Sequence, residues 1–120
     1  MVFLWMMAGS ATADDWPAFR GPEGNGVAHG DKALLHWGPE KNVRWKVALP
    51  GPGNSSAIVS RGRVFVTCAE NEGRKRNLYC IDRRTGERLW VRTVAFATVE
   101  PTHRSNPYCA STPSQTARAW

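Results

Sequence analysis

The stretch that decides the fold is residues 55–94, which read SSAIVSRGRVFVTCAENEGRKRNLYCIDRRTGERLWVRTV. Runs rich in β-branched and aromatic residues alternate there with breaks rich in glycine, asparagine and charge. The predicted strands cover residues 57–59, 63–69, 78–82 and 88–94. The breaks between them are short, so we expect one all-β unit of four antiparallel strands.

The second predicted strand shows the clearest alternation. It places Val64, Val66 and Cys68 on one side of the sheet and Phe65 and Thr67 on the other. Such alternation in β-branched and aromatic residues is the signal of a β-strand.

Two breaks have the chemistry of tight turns. Arg61-Gly62 separates the first two strands, and Gly62 suits a positive φ. In the break at residues 82–86, Asp82 can accept hydrogen bonds from nearby backbone N–H groups, and Gly86 can take a left-handed conformation.

A set of residues around the last turn resembles the repeat of β-propellers of the pyrroloquinoline-quinone (PQQ) type. The matching residues are Leu78, Tyr79, Ile81, Asp82, Thr85, Gly86, Leu89 and Trp90. The chain departs from that pattern at Cys80, where a small alanine is common. The resemblance implies that residues 55–94 form one propeller blade, and that Asp82, Thr85, Gly86 and Trp90 are structural repeat residues.

An internal echo extends this interpretation. Trp45 lies one blade length before Trp90, which predicts a strand over residues 42–49 that closes the last blade of a propeller. Residues 95–120 are then a connection followed by the start of a second blade, whose opening we expect at residues 106–113. The chain is expected to be the N-terminal piece of a parent with about seven or eight blades.

The first 41 residues are expected to lie outside the blade. Residues 1–13 are apolar and then small, which predicts a signal peptide cleaved before Asp14, although no basic residue precedes the apolar run. Residues 14–41 are rich in glycine and proline and predict an irregular segment, resembling the mature N-terminus of exported propellers of this type. In it Trp16 and Phe19 are expected to pack against the propeller. Export to the periplasm or the cell exterior follows as an expectation, with no transmembrane segment.

The charge of the chain has two interpretations. Sixteen Lys and Arg against ten Asp and Glu give a formal net charge of +6. Attraction to nucleic acid or another anionic polymer is one interpretation. Solvated basic loops at residues 74–76 and 83–84 are the other, and we favour it because no nucleic-acid-binding motif accompanies the charge.

The candidate chemical groups are few. Cys68 and Cys80 lie on neighbouring predicted strands and form a disulfide only if they face the same way, or else are small buried residues, which we favour. With Cys109 the cysteine count is odd, so at least one thiol stays unpaired. His29 and His36 have no further residues at metal-ligand spacing. Asp82 is a single acidic candidate, whereas a calcium site needs oxygen ligands from several residues.

The remaining candidates are not expected to act. His103 with Ser105 or Cys109 lacks a group that orients the histidine. The glycines at 21, 24 and 26 lack the strand and helix of a phosphate loop. Trp45 and Trp90 could stack on a ligand, but their spacing favours docking between blades. We therefore expect no catalytic, cofactor or metal residue in this chain.

Three functions remain in view. The favoured one is an exported, non-catalytic propeller that binds or scaffolds proteins through its faces or edges, or through the remaining blades of the parent. It is similar to the lipoprotein-type propeller of the outer-membrane β-barrel assembly machinery. The first alternative, also implied by the resemblance, is a quinoprotein dehydrogenase that oxidises alcohols or sugars with PQQ and Ca²⁺. The second alternative is a basic surface for anionic polymers.

Overall fold

The computed structural model describes residues 15–29, 34–106 and 108–115. Their regular structure is a single antiparallel sheet with strand order β1-β2-β3-β4. The strands are β1 (Ile58–Ser60), β2 (Arg63–Glu70), β3 (Lys75–Asp82) and β4 (Arg88–Ala95). No helix occurs in the described residues, so the all-β expectation is confirmed. A bilayer-spanning helix is accordingly not found in that part of the chain.

The four predicted strands are all present, with small shifts at their ends. β3 begins at Lys75, three residues before the predicted start at residue 78. Its first three residues are polar, and the side chain of Asn77 is buried and hydrogen-bonded inside the fold. Asn77 donates to Glu70 Oε1 at 2.6 Å and accepts from Thr93 Oγ1 at 2.7 Å. Polar residues therefore continue the strand where alternation of apolar residues gives no signal.

The β1–β2 turn forms as its sequence predicts. Arg61 and Gly62 have φ values of 48° and 73°. These two consecutive left-handed residues match the right-handed twist of the flanking strands. The Arg61 N–H donates to both carboxylate oxygens of Asp15, at 3.1 and 3.2 Å, which fixes the turn from outside.

One face of the sheet, here called the covered face, is closed by the chain itself. Its buried cluster consists of Cys68, Tyr79 and Ile81. Packed against this cluster are Trp45, Leu49, Val64, Val66 and Val91. The segment before the sheet thus supplies the lid of the core, and the hydrophobic effect holds it there.

The other face, here called the open face, follows from the strand register. Ile58 pairs with Phe65, Phe65 with Cys80, and Cys80 with Trp90. Residues paired across an antiparallel ladder share a face, so these four side chains form one row across the sheet. Ile58 and Cys80 are buried in this row, whereas Phe65 and Trp90 are half-buried.

The strand predicted over residues 42–49 is not formed within the described residues, and its place in the last blade of a propeller stays a prediction. Those residues are described, but they contain no strand. A strand needs a ladder of backbone hydrogen bonds, and no described strand offers one to this segment. Instead, Trp45 and Leu49 lie across the covered face through their side chains.

The N-terminal segment attaches to the edge of β1. Trp16 N donates to Val59 O at 2.7 Å, and Val59 N donates to Trp16 O at 2.8 Å. The Trp16 ring packs closely on Gly21, where an added Cβ would approach it to 2.7 Å. Phe19 is 62% exposed, so the expectation that it packs is wrong. The predicted signal peptide, residues 1–13, lies outside the described residues.

A disulfide between Cys68 and Cys80, the alternative that the sequence leaves open, is excluded by the register. Cys68 pairs with Asn77 in the ladder, and Cys80 pairs with Phe65. Cys68 therefore points to the covered face and Cys80 to the open face. All three cysteines are free, and the two strand cysteines are fully buried, as favoured from the sequence.

Candidate binding surface on the open face of the sheet

The turn between β3 and β4 is held by one carboxylate. Asp82 Oδ1 accepts from Arg84 N at 2.9 Å, from Thr85 N at 2.8 Å and from Thr85 Oγ1 at 3.1 Å. The hydrogen bonds to this carboxylate lower the pKa of Asp82 below its ordinary value, and those from Thr85 have the largest effect. Gly86 closes the turn at φ 76° and donates its N–H to Asp82 O. The Asp–Thr–Gly corner is therefore structural, as expected.

The same corner positions Trp45. Its indole Nε1 donates to Arg83 O at 2.9 Å, and the ring lies on Gly86. A Cβ at Gly86 would come within 2.7 Å of the Trp45 ring. Trp45 is thus docked on the sheet of its own chain and closes the covered face.

Trp90 lies on the opposite side of the sheet from Trp45. Its ring is 5.9 Å from that of Phe65, with the planes tilted by 55°. The Arg92 guanidinium carbon lies 5.7 Å from the Trp90 ring centroid, at cation–π range. The echo in sequence between the two tryptophans therefore does not give them equivalent positions.

A groove of about 710 Å³ runs over the open face beside Trp90. Its floor is apolar and consists of Ile58, Phe65, Leu78 and Trp90. Volumes of this order are typical of ligand sites in proteins. The groove is our candidate binding surface.

Arginine side chains line the groove on both sides of the floor. Arg63 comes from the start of β2, and Arg92 comes from the middle of β4. Both residues are exposed, and the charge of Arg63 partly offsets the rise that burial causes in the pKa of Cys80. The surface therefore combines an apolar floor with positive charge.

The C-terminal wall of the groove is the segment 113–115. Gln115 N donates to Pro17 O at 2.8 Å, and nearby Thr112 Oγ1 accepts from Ser56 N at 2.9 Å. Gln115 Oε1 is buried and has no hydrogen-bond partner among the described groups. A buried acceptor of this kind costs about 1–3 kcal/mol until a donor reaches it.

The histidines do not form the sites considered from the sequence. His103 Nδ1 lies 2.7 Å from Ser105 Oγ and accepts from Ser105 N at 3.2 Å, in an exposed local turn. His29 Nε2 lies 3.0 Å from Glu23 Oε1, also exposed. His36 accepts through its backbone oxygen from Asn42 Nδ2 at 2.6 Å.

A calcium or other metal site is not formed by the described residues. They contain no group of three or more His, Cys, Asp or Glu side chains placed to hold an ion. Asp82 Oδ1 faces three hydrogen-bond donors, which is the environment of a turn cap. Asp82 therefore serves the turn between β3 and β4.

A second cluster anchors the connection after β4. Arg76 Nη2 contacts both carboxylate oxygens of Glu100 at 2.7 Å. The Arg76 guanidinium carbon lies 4.5 Å from the Phe96 ring centroid and 5.2 Å from the Tyr108 ring centroid. The Glu100 hydrogen bond raises the pKa of Arg76, and the Arg76 hydrogen bond lowers the pKa of Glu100. The cluster holds Phe96, Glu100 and Tyr108 beside Arg76 of β3.

Sequence reasoning missed the groove and its arginines. The signal was present in part, because alternation puts Arg63 on the same side as Phe65. The register then adds Arg92 to that face, in the row of Leu78. The part played by Gln115 has no signal in local sequence, since a contact across about a hundred residues brings it to Pro17.

Comparison of the chain with protein-family models, with curated proteins and with solved structures gives no match. The resemblance to PQQ-type propellers therefore rests on the Asp–Thr–Gly–Trp repeat residues and their spacing.

Proposed function

We propose that this chain is a blade-like unit of the PQQ-type propeller class, that it is exported, and that it acts as a non-catalytic binding or scaffolding module. The observation that carries the proposal is that the chain covers one face of the sheet and leaves the other face open. The chain closes one face with its own Trp45, whereas the other ends in an apolar groove beside Trp90. An apolar surface of that kind in a soluble protein usually marks a site of interaction.

The local geometry supports the blade assignment. A four-stranded antiparallel meander is the form of a propeller blade. The turn between its last two strands is the Asp–Thr–Gly corner, with Trp90 four residues after Gly86 in β4. Export is proposed from the composition of residues 1–13 alone.

A quinoprotein dehydrogenase is the alternative of a different class. We test it by supplying the chain with PQQ and Ca²⁺ and measuring dye-linked oxidation of alcohols and sugars. The proposal expects no turnover above that of PQQ and Ca²⁺ alone. Turnover that depends on the chain would contradict the non-catalytic role and favour the dehydrogenase.

Binding of anionic polymers is the third class, and the formal net charge of +6 is what favours it. Its test is retention on heparin as a function of salt. Counterion release makes such binding fall steeply with salt. We expect weak retention, and strong retention that modest salt abolishes would favour the polymer over a protein partner.

A further inference from the structure

The two outer edges of the sheet differ in what pairs with them. At the edge of β1, Trp16 N donates to Val59 O and Val59 N donates to Trp16 O, so the chain itself covers that edge. β4 forms the other edge, and β3 is the one strand of the described residues that pairs with it. An edge strand presents a row of backbone N–H and C=O groups with which another strand can pair.

The pairing of β4 with β3 shows which backbone groups face outward. Phe96, the residue after β4, donates its N–H to Arg74 O at 2.8 Å, and this bond continues the ladder by one rung. In an antiparallel ladder, residues that bond to the partner strand alternate with residues whose N–H and C=O point away from it. The residues of β4 that turn these groups away from β3 are therefore Val91, Thr93 and Ala95.

The outward groups of these three residues meet no partner among the described groups. The backbone hydrogen bonds outside the ladder do not include them, and the Thr93 hydroxyl donates to Asn77 on the covered face. Most of the eight residues of β4 are exposed. Strands pair in the plane of the sheet, so a neighbour that packs on the open face leaves this edge accessible.

The side chains of β4 make this edge positive on both sides of the sheet. The strand reads RLWVRTVA and contains two arginines and no acidic residue. Arg92 lies on the open-face side, with its guanidinium carbon 5.7 Å from the Trp90 ring centroid. Arg88 lies on the covered-face side, 5.9 Å from the Tyr79 ring centroid. The ion pairs of the described residues lie elsewhere, so neither arginine has a carboxylate partner among them.

These charges favour one occupant of the edge over another. A second copy of the chain brings the same two arginines and the same formal net charge of +6, so two copies repel each other. A strand with acidic side chains attracts both arginines, and opposite charges on neighbouring strands stabilise the pairing. The edge is therefore complementary to an acidic strand rather than to itself.

We propose that the outer edge of β4 binds an extended acidic segment of another protein, which adds to the sheet as an antiparallel fifth strand. The backbone of that segment exchanges N–H···O=C bonds with Val91 and Thr93, and its carboxylates lie beside Arg88 and Arg92. In strand addition, main-chain bonds give affinity and side chains give specificity. This inference names the class of partner for the binding role proposed above and rests on it.

The test is calorimetric titration of the 120-residue chain with the peptide Gly-Ser-Val-Glu-Ile-Thr-Val-Glu-Ser-Gly. In antiparallel pairing its isoleucine stands opposite Val91, and its glutamates stand near Arg92 and Arg88. We expect saturable binding that weakens as salt is raised, because the carboxylate contacts are exposed. A peptide with lysine in place of both glutamates should not bind.

Methylation of single backbone nitrogens of the peptide tests the strand pairing without any change to the chain. The isoleucine N–H faces β4, so N-methylation there should weaken binding by about tenfold or more. The threonine N–H faces away from β4, because the bonding direction alternates along a strand. N-methylation of the threonine is therefore the matched control and should leave binding nearly unchanged.

A pair of substitutions on β4 locates the site on the chain. Thr93→Pro removes the outward N–H, whereas Thr93→Val keeps it, and both variants lose the hydroxyl bond to Asn77. Proline is tolerated on an edge strand where its nitrogen faces outward, so the β3–β4 ladder is kept. T93P should bind the peptide about tenfold more weakly or worse. T93V should bind it like the unmodified chain.

A charge exchange tests the acidic preference. Arg88→Glu combined with Arg92→Glu should lose the glutamate peptide and bind the lysine peptide instead. Arg44→Glu combined with Arg84→Glu makes the same change of charge on exposed residues outside β4. That control should keep its preference for the glutamate peptide.

Four results overturn the proposal. They are absence of binding, equal binding of the glutamate and lysine peptides, and an effect of the methyl group at threonine that equals or exceeds its effect at isoleucine. The fourth is self-association of the chain that T93P abolishes and T93V keeps, which would assign the edge to a second copy. None of these depends on PQQ-dependent turnover, so failure of the edge proposal and failure of the non-catalytic role are distinguished.

Discussion

The two faces of the sheet differ although the same four strands build both. On the covered face, Trp45 and Leu49 return from the preceding segment and close a cluster that includes Tyr79. On the open face, the row through Phe65 and Trp90 borders a groove with arginines on either side. Alternation in a strand thus shows that both faces bury apolar groups, but it does not show what covers each one.

The two tryptophans express this difference most simply. Trp45 has a hydrogen bond to Arg83 O as well as apolar contacts with the core. Trp90 has a tilted ring neighbour and a cation above it, and it borders the groove. We therefore assign Trp45 to stability of the chain, whereas Trp90 lies at the open face and contributes less to the core.

The largest expected effect is on stability when Trp45 is truncated. Trp45→Ala removes the lid of the covered face and the bond to Arg83 O, and we expect a loss of about 3 kcal/mol in the free energy of unfolding. Trp90→Ala is the matched control and should cost about 1 kcal/mol. Urea unfolding followed by circular dichroism measures both, and equal costs would remove the distinction between the faces.

A glycine pair sharpens the same comparison. Gly86 and Gly62 have similar φ values, 76° and 73°. A Cβ at Gly62 meets no atom within 4 Å, whereas a Cβ at Gly86 meets the Trp45 ring. Gly62→Ala should cost about 1 kcal/mol from the left-handed backbone alone, and Gly86→Ala about 2 kcal/mol because Trp45 must also move. Thermal unfolding of the two variants checks the order, and a reversed order would argue against Trp45 on the corner.

The Asp82 corner gives stability that depends on pH. The pKa of the Asp82 carboxyl is lowered in the folded chain. As pH falls, the carboxyl therefore takes up a proton in the unfolded chain before it does so in the folded chain. The contribution is therefore complete above about pH 4 and is lost as pH falls through the folded pKa. Asp82→Asn should lower the melting temperature at pH 7 and have little effect at pH 2.

The control for the corner is Glu40→Gln, which removes one exposed carboxylate elsewhere. Its melting temperature should follow the unmodified chain at each pH. If Asp82→Asn is equally destabilising at pH 7 and pH 2, the carboxylate charge is not what holds the turn.

The last and smallest effect is a difference in thiol reactivity. It shows on which face of the sheet each cysteine lies, and its measurement needs no substitution. Cys68 and Cys80 are fully buried on opposite faces, and burial raises the pKa of the Cys80 thiol. Both should react slowly with a thiol reagent in the folded chain and quickly in denaturant. Mass spectrometry after mild oxidation should show no peptide that links Cys68 to Cys80, and finding one would contradict the register.

The sequence predicted the features that depend on neighbouring residues. The four strands, the Arg61-Gly62 turn and the Asp82 cap are each decided by alternation or turn chemistry over a few positions. It also placed Phe65 and Cys68 correctly on opposite faces of β2, because the side-chain period of a strand is two residues.

The features that depend on distant residues were not predictable in this way. Residues 42–49 have the composition of a strand, yet their tryptophan packs on the covered face and finds a partner in Arg83 O. The groove requires β2, β4 and Gln115 to come together, and that contact is set by tertiary packing. Local propensity is overridden where such packing decides.

The indole N–H signals of the folded chain give the most direct test of the difference between the faces. We would measure their exchange with deuterated solvent in the isotope-labelled chain, with Trp45→Phe and Trp90→Phe variants to assign the two signals. The account predicts that the Trp45 signal, bonded to Arg83 O, exchanges more slowly than the Trp90 signal beside the groove. Equal exchange of the two signals, or slower exchange of the Trp90 signal, would contradict it.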